Sequence, residues 1–170
     1  MTRREIREEI FKLLFERELV NNDIDKRIEE VIEENSIKKK EQIEFLESYV
    51  KNIISNEEFL IKKIKETLEG WTYERLGTLE RVLLKISFYE ILLEKVGYEI
   101  AINEALEISK IYAYEDTKDF LNGVLAGLVK NNKIEEKQKR AFLKLIVKKL
   151  FYFQKIYKKE LKCLKKLMNL

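Results

Sequence analysis

The 170-residue chain has no proline, no histidine and a single cysteine, Cys163. Without histidine, no Ser-His or Cys-His nucleophile pair can form, and no imidazole can bind a metal ion. Cys163 has no partner for an internal disulfide bond, which is typical of proteins from a reducing compartment. Nothing selects an acid–base pair among the 31 acidic side chains, and no phosphate-binding glycine loop occurs. The sequence therefore predicts a protein that is not an enzyme and needs no cofactor or metal ion.

Long apolar runs are also missing. The first residues, MTRREIREEIFKLLFERE, are too charged for a signal peptide. No run approaches the roughly 18 apolar residues that a membrane-spanning helix needs. We expect a cytoplasmic protein with no membrane span.

Charge is abundant and unevenly distributed, although the net charge is only +3. Residues 131–170 carry 13 of the 34 basic side chains and 3 of the 31 acidic ones, so this segment has a net charge of +10 and the rest of the chain −7. A basic segment of this kind fits an anionic partner, which could be RNA, a membrane surface or an acidic protein.

Apolar residues recur at helical spacing through most of the chain, which predicts an all-α fold. One stripe comprises Ile6, Ile10, Leu13 and Leu14; another comprises Ile43, Leu46, Val50, Ile53 and Ile54; a third comprises Phe59, Ile61, Ile64 and Leu68, ended by Gly70. The segment from Leu79 to Leu93 is apolar on nearly every side, which predicts a central helix, and we expect Gly97 to mark its end.

The stretch EDTKDFLNGVLAGLV, residues 115–129, contains an Asn-Gly pair that commonly marks a β-hairpin. Its apolar positions, however, repeat about every 3.6 residues, so we predict a helix. Asp116 or Thr117 is expected to cap its start. Gly123 and Gly127 lie four residues apart, and we expect them to allow close approach of another helix.

The basic segment predicts one long amphipathic helix from Glu135 to Met168. Its lysines could bind RNA phosphates or a membrane surface. Its apolar face could instead pack on the body of the protein or on a second copy of the chain, forming a homodimer.

Two short motifs could bind RNA. Arg3, Arg4 and Arg7 lie on one side of the first helical turns, where guanidinium groups could bind phosphate. They could equally pair with neighbouring glutamates on a solvated helix end. The stretch AYEDTKDF could contact base edges or sugar hydroxyls, or it could serve only as a helix cap.

Three stretches in the second half resemble one family. They are RLGTLERVLLKISFYEIL, AINEALEISKIY and EDTKDFLNGVLAGL, and in order and spacing they are similar to the NusB family of transcription antitermination proteins. Arg3, Arg4 and Arg7 before Leu13-Leu14-Phe15 resemble the arginine-rich first helix of that family. The resemblance covers roughly residues 2–131.

The resemblance implies a NusB-like fold of two small helical bundles packed together, in a domain at 1–131, followed by a basic helical extension at 132–170 outside the usual pattern. It implies binding of a boxA-type single-stranded RNA together with the ribosomal protein NusE, and an indirect link to RNA polymerase during ribosomal RNA transcription. The RNA-binding residues that it implies are Arg3, Arg4, Arg7, Phe15, Asp116, Lys118 and Phe120.

Two other functions remain open at the level of sequence. NusB-like domains also occur at the front of ribosomal RNA cytosine methyltransferases, where they help to bind RNA. The chain could alternatively be a helical adaptor that binds only proteins, with its basic extension mediating oligomerisation.

Overall fold

The protein folds entirely into helices and turns in the computed structural model, which describes residues 1–20, 22–141, 143–146 and 148. Residues 1–132 form one compact unit. A 3₁₀ turn at Tyr73–Arg75 precedes the fifth of its seven α-helices. The α-helices are α1 (Arg3–Leu19), α2 (Ile24–Glu34), α3 (Lys40–Ser55), α4 (Glu57–Thr67), α5 (Thr78–Leu92), α6 (Tyr98–Tyr112) and α7 (Glu115–Asn131). The predicted all-α fold is confirmed.

A second unit begins at Lys133. It is helical at 134–141, 143–146 and 148. Lys139 and Arg140 pair with glutamates one helical turn earlier, and the side chains of Leu143 and Leu145 are exposed. Most of the predicted helix from Glu135 to Met168 lies outside the described residues.

Helix α5 forms the centre of the first unit. Ten consecutive residues, Val82 to Ile91, are buried, as expected for a helix that is apolar on nearly every side. On one side α5 packs against α1 and α3, which with α2 form one bundle. On another side it packs against α4, α6 and α7, which form the other. The two bundles therefore share one helix.

Helix α1 begins with a reciprocal cap. The Thr2 hydroxyl accepts a hydrogen bond from the backbone N–H of Glu5, and the Glu5 carboxylate accepts one from the backbone N–H of Thr2. This arrangement satisfies two backbone donors that the first helical turn leaves free. The predicted stripe at Ile6, Ile10, Leu13 and Leu14 is buried, so the first helix is confirmed.

The sequence prediction was wrong for two helix ends and for the core face of α4. Leu60 and Ile64 are fully buried, whereas Phe59 is 40% exposed. Helix α4 ends at Thr67, and Gly70 lies beyond it in a left-handed turn with φ of 74°. Helix α5 ends at Leu92, directly before the exposed residues 93–95, and Gly97 instead occupies the N-cap position of α6.

The stretch with the Asn-Gly pair is helical, as predicted. It forms α7, and the side chains of Leu121, Leu125 and Leu128 are buried. The predicted cap is wrong, because α7 begins earlier, at Glu115, and its cap residue Tyr114 makes no side-chain hydrogen bond to the helix. The Thr117 hydroxyl donates to Glu80 at 3.2 Å instead.

The two glycines of α7 have different surroundings. A Cβ built on Gly127 would lie 3.5 Å from the Thr67 Cγ2 of α4, which agrees with the predicted close approach. A Cβ built on Gly123 would meet nothing within 4 Å, so the prediction of helix contact there is wrong.

Replacing Gly123 with alanine is expected to raise the free energy of unfolding by up to about 1 kcal/mol, because alanine is the better helix former and its methyl group meets no obstacle. Urea unfolding followed by circular dichroism measures this change. Ala126→Gly, at an exposed position of the same helix, should lower stability by a similar amount. A loss of stability in Gly123→Ala would show that the backbone at this position is constrained.

A buried ion-pair cluster joins α1, α4 and α5. The Lys85 side chain is only 2% exposed, and its ammonium contacts Glu18 and, at 2.7 Å, the Glu57 carboxylate. Arg17 also contacts Glu57 at 3.2 Å. Burial raises the pKa of Glu57, but the hydrogen bond and charge of Lys85, together with Arg17, outweigh burial and bring that pKa below its ordinary value of 4.5.

Candidate RNA-binding surface

The arginines at the start of α1 occupy different environments. Arg3 is half-exposed, contacts Glu41 of α3 at 3.0 Å, and places its guanidinium 4.2 Å from the centre of the Phe45 ring. Arg4 is also half-exposed and binds Glu104 of α6 through two hydrogen bonds of 2.8 and 3.2 Å. The Arg3–Glu41 pair is exposed on both sides, and exposed pairs are worth about 0–1 kcal/mol, so a phosphate can replace Glu41 at little cost. The Glu104 partner of Arg4 is only 12% exposed.

Arg7 is different, because its side chain is largely buried and pairs with a glutamate of α5. Its side chain is 11% exposed, and its Nε lies 2.6 Å from the carboxylate of Glu90, which is 1% exposed. Burial raises the pKa of Glu90 above its ordinary value, and the positive charge of Arg7 partly opposes this increase. The guanidinium of Arg7 is therefore engaged inside the fold.

Phe15 lies with an aromatic group between α1 and α6. It is half-buried, with its ring centre 5.7 Å from that of Phe11, which in turn lies 5.2 Å from Tyr112. The Tyr112 hydroxyl donates to Glu8 at 2.6 Å. This aromatic group fixes the end of α6 against α1, directly before the loop that leads into α7.

The predicted residues at the start of α7 are accessible. Asp116 and Lys118 are exposed, and Phe120 is half-buried. The Phe120 ring meets Trp71 edge-on with centres 6.1 Å apart, and the Arg75 guanidinium lies 5.3 Å from the centre of the Trp71 ring. An aromatic pair with a cation above it is an arrangement on which unpaired bases can stack.

A hollow of about 370 Å³ opens in front of this aromatic pair. We call it the Trp71–Phe120 hollow. Asp116, Thr117 and Glu80 supply acceptors and a hydroxyl at its rim. Hydrogen-bonding groups around an aromatic wall can bind the edge of a base or a ribose hydroxyl.

Trp71, Arg75 and Glu80 line the hollow although none of them belongs to the two motifs predicted to bind RNA. The Trp71 side chain is 51% exposed, so it is available to a ligand. One signal could have drawn attention to it. Trp71 follows Gly70 in the turn after α4, where it belongs to no helical stripe.

Arg4 also lies near a second carboxylate of α6. An Arg4 nitrogen lies 4.0 Å from Glu107, whose pKa is lowered mainly by the hydrogen bond and charge of Lys110 and further by the positive charges of Arg4 and Lys118. Among the predicted cations, Arg3, Arg4 and Lys118 form the accessible group. Arg7 is outside this accessible group because its guanidinium is buried.

The described residues contain no group of three or more acidic or cysteine side chains that could hold a metal ion. None of the helices in the described part of the chain is both long enough and apolar enough to cross a membrane.

Comparison with known proteins identifies the family. The family model for NusB matches residues 4–130. The chain belongs to the NusB family. The transcription antitermination protein NusB of Clostridium acetobutylicum is 36% identical over 138 residues, which cover 81% of this chain and all of that protein. NusB of Listeria welshimeri is 34% identical over 134 residues, which cover 78% of this chain and all of that protein.

Solved NusB structures share the fold. T. maritima NusB superposes with a TM-score of 0.71 at 32% identity, over 80% of this chain and 98% of that one. A chain from a crystal structure of the antitermination factors NusB and NusE in complex with dsRNA superposes with a TM-score of 0.69 at 27% identity, over 76% of this chain and 96% of that one.

Membership in the NusB family confirms two predictions. The chain belongs with transcription antitermination factors, and these are not enzymes. The match to the full length of antitermination proteins disfavours the methyltransferase front domain and the adaptor as its function. The family model ends at residue 130, so the basic extension lies outside it.

Proposed function

We propose that the chain acts in transcription antitermination by binding a boxA-type single-stranded RNA together with the ribosomal protein NusE. The observation that carries this proposal is the Trp71–Phe120 hollow, which lies at the start of α7 beside exposed basic side chains. The proposal includes the indirect link to RNA polymerase and a cytoplasmic site of action. The similar fold of a NusB chain solved with NusE and dsRNA supports it.

The residues divide the recognition of RNA into two tasks. Arg3, Arg4 and Lys118 are exposed cations that can bind phosphate and so position the strand. Phe120 offers a ring for a base to stack on, and Asp116 offers a carboxylate that can accept a hydrogen bond from a base or a ribose. Asp116 repels phosphate, which favours a pose with the base facing the hollow and the backbone facing Arg4 and Lys118.

Phe15 and Arg7 have an indirect role in this proposal. Phe15 packs with Phe11, which contacts Tyr112 at the end of α6, and so supports the position of the α7 loop. Arg7 holds α1 on α5 through Glu90. Both side chains then orient the surface that RNA contacts.

Fluorescence anisotropy with a labelled boxA-like RNA tests the proposal. We expect binding that tightens when NusE is added and weakens steeply as salt rises, by about 0.7 log units per tenfold increase in salt for each phosphate contacted. A lack of binding at low salt, even with NusE present, would show that the fold is used without RNA. Sedimentation of the same samples distinguishes a monomer from a homodimer.

A chain ending at Asn132 tests the proposed division into a domain at 1–131 and an extension. Residues 1–132 form a compact unit, and whole NusB proteins match this part of the chain, so the shortened chain is expected to fold. If it binds RNA with the same salt dependence, the extension is accessory. If its salt dependence is shallower, the 13 basic side chains of residues 131–170 contribute phosphate contacts.

The three arginines of α1 are expected to respond differently to substitution. Arg3→Gln with Arg4→Gln should weaken RNA binding about tenfold and leave stability within about 1 kcal/mol of the wild type, because both guanidinium groups are half-exposed. Arg7→Met should lower the free energy of unfolding by about 2–3 kcal/mol, because it leaves the buried Glu90 carboxylate without its partner. Anisotropy and urea unfolding measure the two effects.

The pH dependence of Arg7→Met provides a control. Glu90 has a raised pKa in the folded state, so the fold favours its neutral form, and that contribution to stability is lost as the pH rises above the ordinary value of 4.5. Arg7→Met removes the positive charge that partly opposes this rise in pKa, so the variant loses more stability than the wild type when Glu90 ionises. The difference in stability between wild type and variant should therefore be larger at pH 7 than at pH 5. An equal difference at both pH values would contradict the role assigned to Glu90.

A further inference from the structure

A second hollow lies on the other side of the Trp71–Phe120 pair. It has a volume of about 430 Å³ and runs between the end of α4 and the exposed face of α7. We call it the α4–α7 groove. Trp71 and Phe120 form one end, Gly123 and Gly127 line the α7 side, and Lys130 lies at the other end. The groove thus continues directly from the proposed RNA site, with the aromatic pair as a shared wall.

Gly123 leaves the groove free of a side chain, but glycine lowers the stability of α7. A glycine inside a helix lowers stability by about 1 kcal/mol relative to alanine. Close packing could offset that cost, but a Cβ at Gly123 would meet nothing within 4 Å. Packing inside the described part of the chain therefore does not explain the missing side chain, whereas a ligand lying in the groove would.

The charges along the groove favour a nucleotide in one orientation. Glu69 and Asp119 line the groove, so phosphate groups are repelled from its middle. Lys130 is exposed, and none of the ion pairs found among the described residues involves it. Bases can therefore lie against the α7 side of the groove, at Gly123 and Gly127, while a phosphate approaches Lys130.

We propose that the α4–α7 groove binds the nucleotides that adjoin, on the same RNA strand, the base in the Trp71–Phe120 hollow. This inference rests on the proposed function, and it extends the RNA site along α7. From Phe120 to Lys130 the helix rises about 15 Å, which is the length of about four stacked nucleotides. The pair of aromatic rings then separates two consecutive binding positions, one in each hollow.

Blocking the groove tests the inference. Gly123→Leu places a large side chain over the floor at a position where nothing obstructs it, and leucine is a better helix former than glycine. Ala126→Leu adds similar bulk at an exposed position of α7 outside the groove and serves as the matched control. Gly123→Ala adds only a methyl group and separates the effect of helix stability from that of bulk.

Each version is titrated, with NusE present, with a boxA-like RNA and with the same RNA lengthened by three nucleotides at its 5′ or its 3′ end. For wild type we expect one lengthened RNA to bind at least fivefold more tightly than the short RNA, as expected when an additional base stacks. Gly123→Leu should lose this gain and bind the short RNA as wild type does. Ala126→Leu and Gly123→Ala should keep the gain.

Three results would overturn the inference. The wild type could bind neither lengthened RNA more tightly than the short RNA. Gly123→Leu could bind a lengthened RNA as tightly as the wild type does. In both cases the proposed function would stand. Gly123→Leu could instead weaken the affinity for NusE while the gain persists, which would make the groove a protein-binding surface. If no version binds even the short RNA, the proposed function fails and this inference fails with it.

Discussion

Replacing Phe120 with alanine is expected to weaken the binding of boxA-like RNA by roughly 5- to 150-fold. Its ring forms the shared wall of the Trp71–Phe120 hollow and the α4–α7 groove, so its removal affects both binding positions. Stacking of one base on an aromatic side chain is worth about 1–3 kcal/mol, which corresponds to this range. Trp71 is the only tryptophan of the chain, so quenching of its fluorescence by RNA measures binding without a label.

Phe59→Ala is the matched control for Phe120→Ala. Phe59 is a phenylalanine of α4 that is 40% exposed and does not line either hollow, so its removal should leave RNA affinity unchanged. Circular dichroism of both variants tests whether the total helix content is retained. Equal losses of affinity in the two variants would indicate a general effect on stability rather than the loss of a stacking surface.

Replacing Lys85 with methionine is expected to lower the free energy of unfolding at pH 7 by about 3 kcal/mol. The two side chains have similar volume, so the main change is the loss of a buried ammonium from between Glu18 and Glu57. Removing one partner of a buried ion pair leaves the other charge uncompensated, which is costly. Solvent reaches both carboxylates in part, which keeps the loss at the lower end of the usual range.

A second substitution separates the charge effect from packing. Glu57 retains Arg17 as a partner in Lys85→Met, whereas Glu18 loses the only ion-pair partner found for it in the described chain. Adding Glu18→Gln should therefore recover part of the lost stability. Because the folded state lowers the pKa of Glu57, its contribution is present above pH 4.5 and is lost at lower pH. The difference between wild type and Lys85→Met should therefore shrink in acid.

Periodicity predicted the helices whose apolar faces are unambiguous. The buried stripe of α1, the burial of α5 on nearly every side and the helical state of the Asn-Gly stretch all follow from spacing alone. Periodicity could not set the register of α4, because Phe59, Leu60, Ile61 and Ile64 offer two overlapping stripes. Only contact with α5 and α7 determines that Leu60 faces inward.

The candidate site was only partly predictable for a related reason. Asp116, Lys118 and Phe120 lie together on one short stretch, so a sequence motif can identify them. Glu80 of α5 and Trp71, in the turn after α4, join Phe120 only because α4 and α5 both pack against α7. The burial of Arg7 depends on Glu90, which is 83 residues away, and no local pattern distinguishes Arg7 from Arg3 or Arg4.

Sharing α5 between two bundles also has a consequence for synthesis of the chain on the ribosome. Helix α1 is synthesised first, but one of its faces packs against α5. Arg7 cannot form its ion pair until Glu90, 83 residues later in the chain, has been synthesised. Pairing over such a separation in sequence delays the docking of an early segment. Until α5 emerges, the apolar side of α1 that packs against it stays uncovered, and the nascent chain presents an apolar surface that a chaperone can bind.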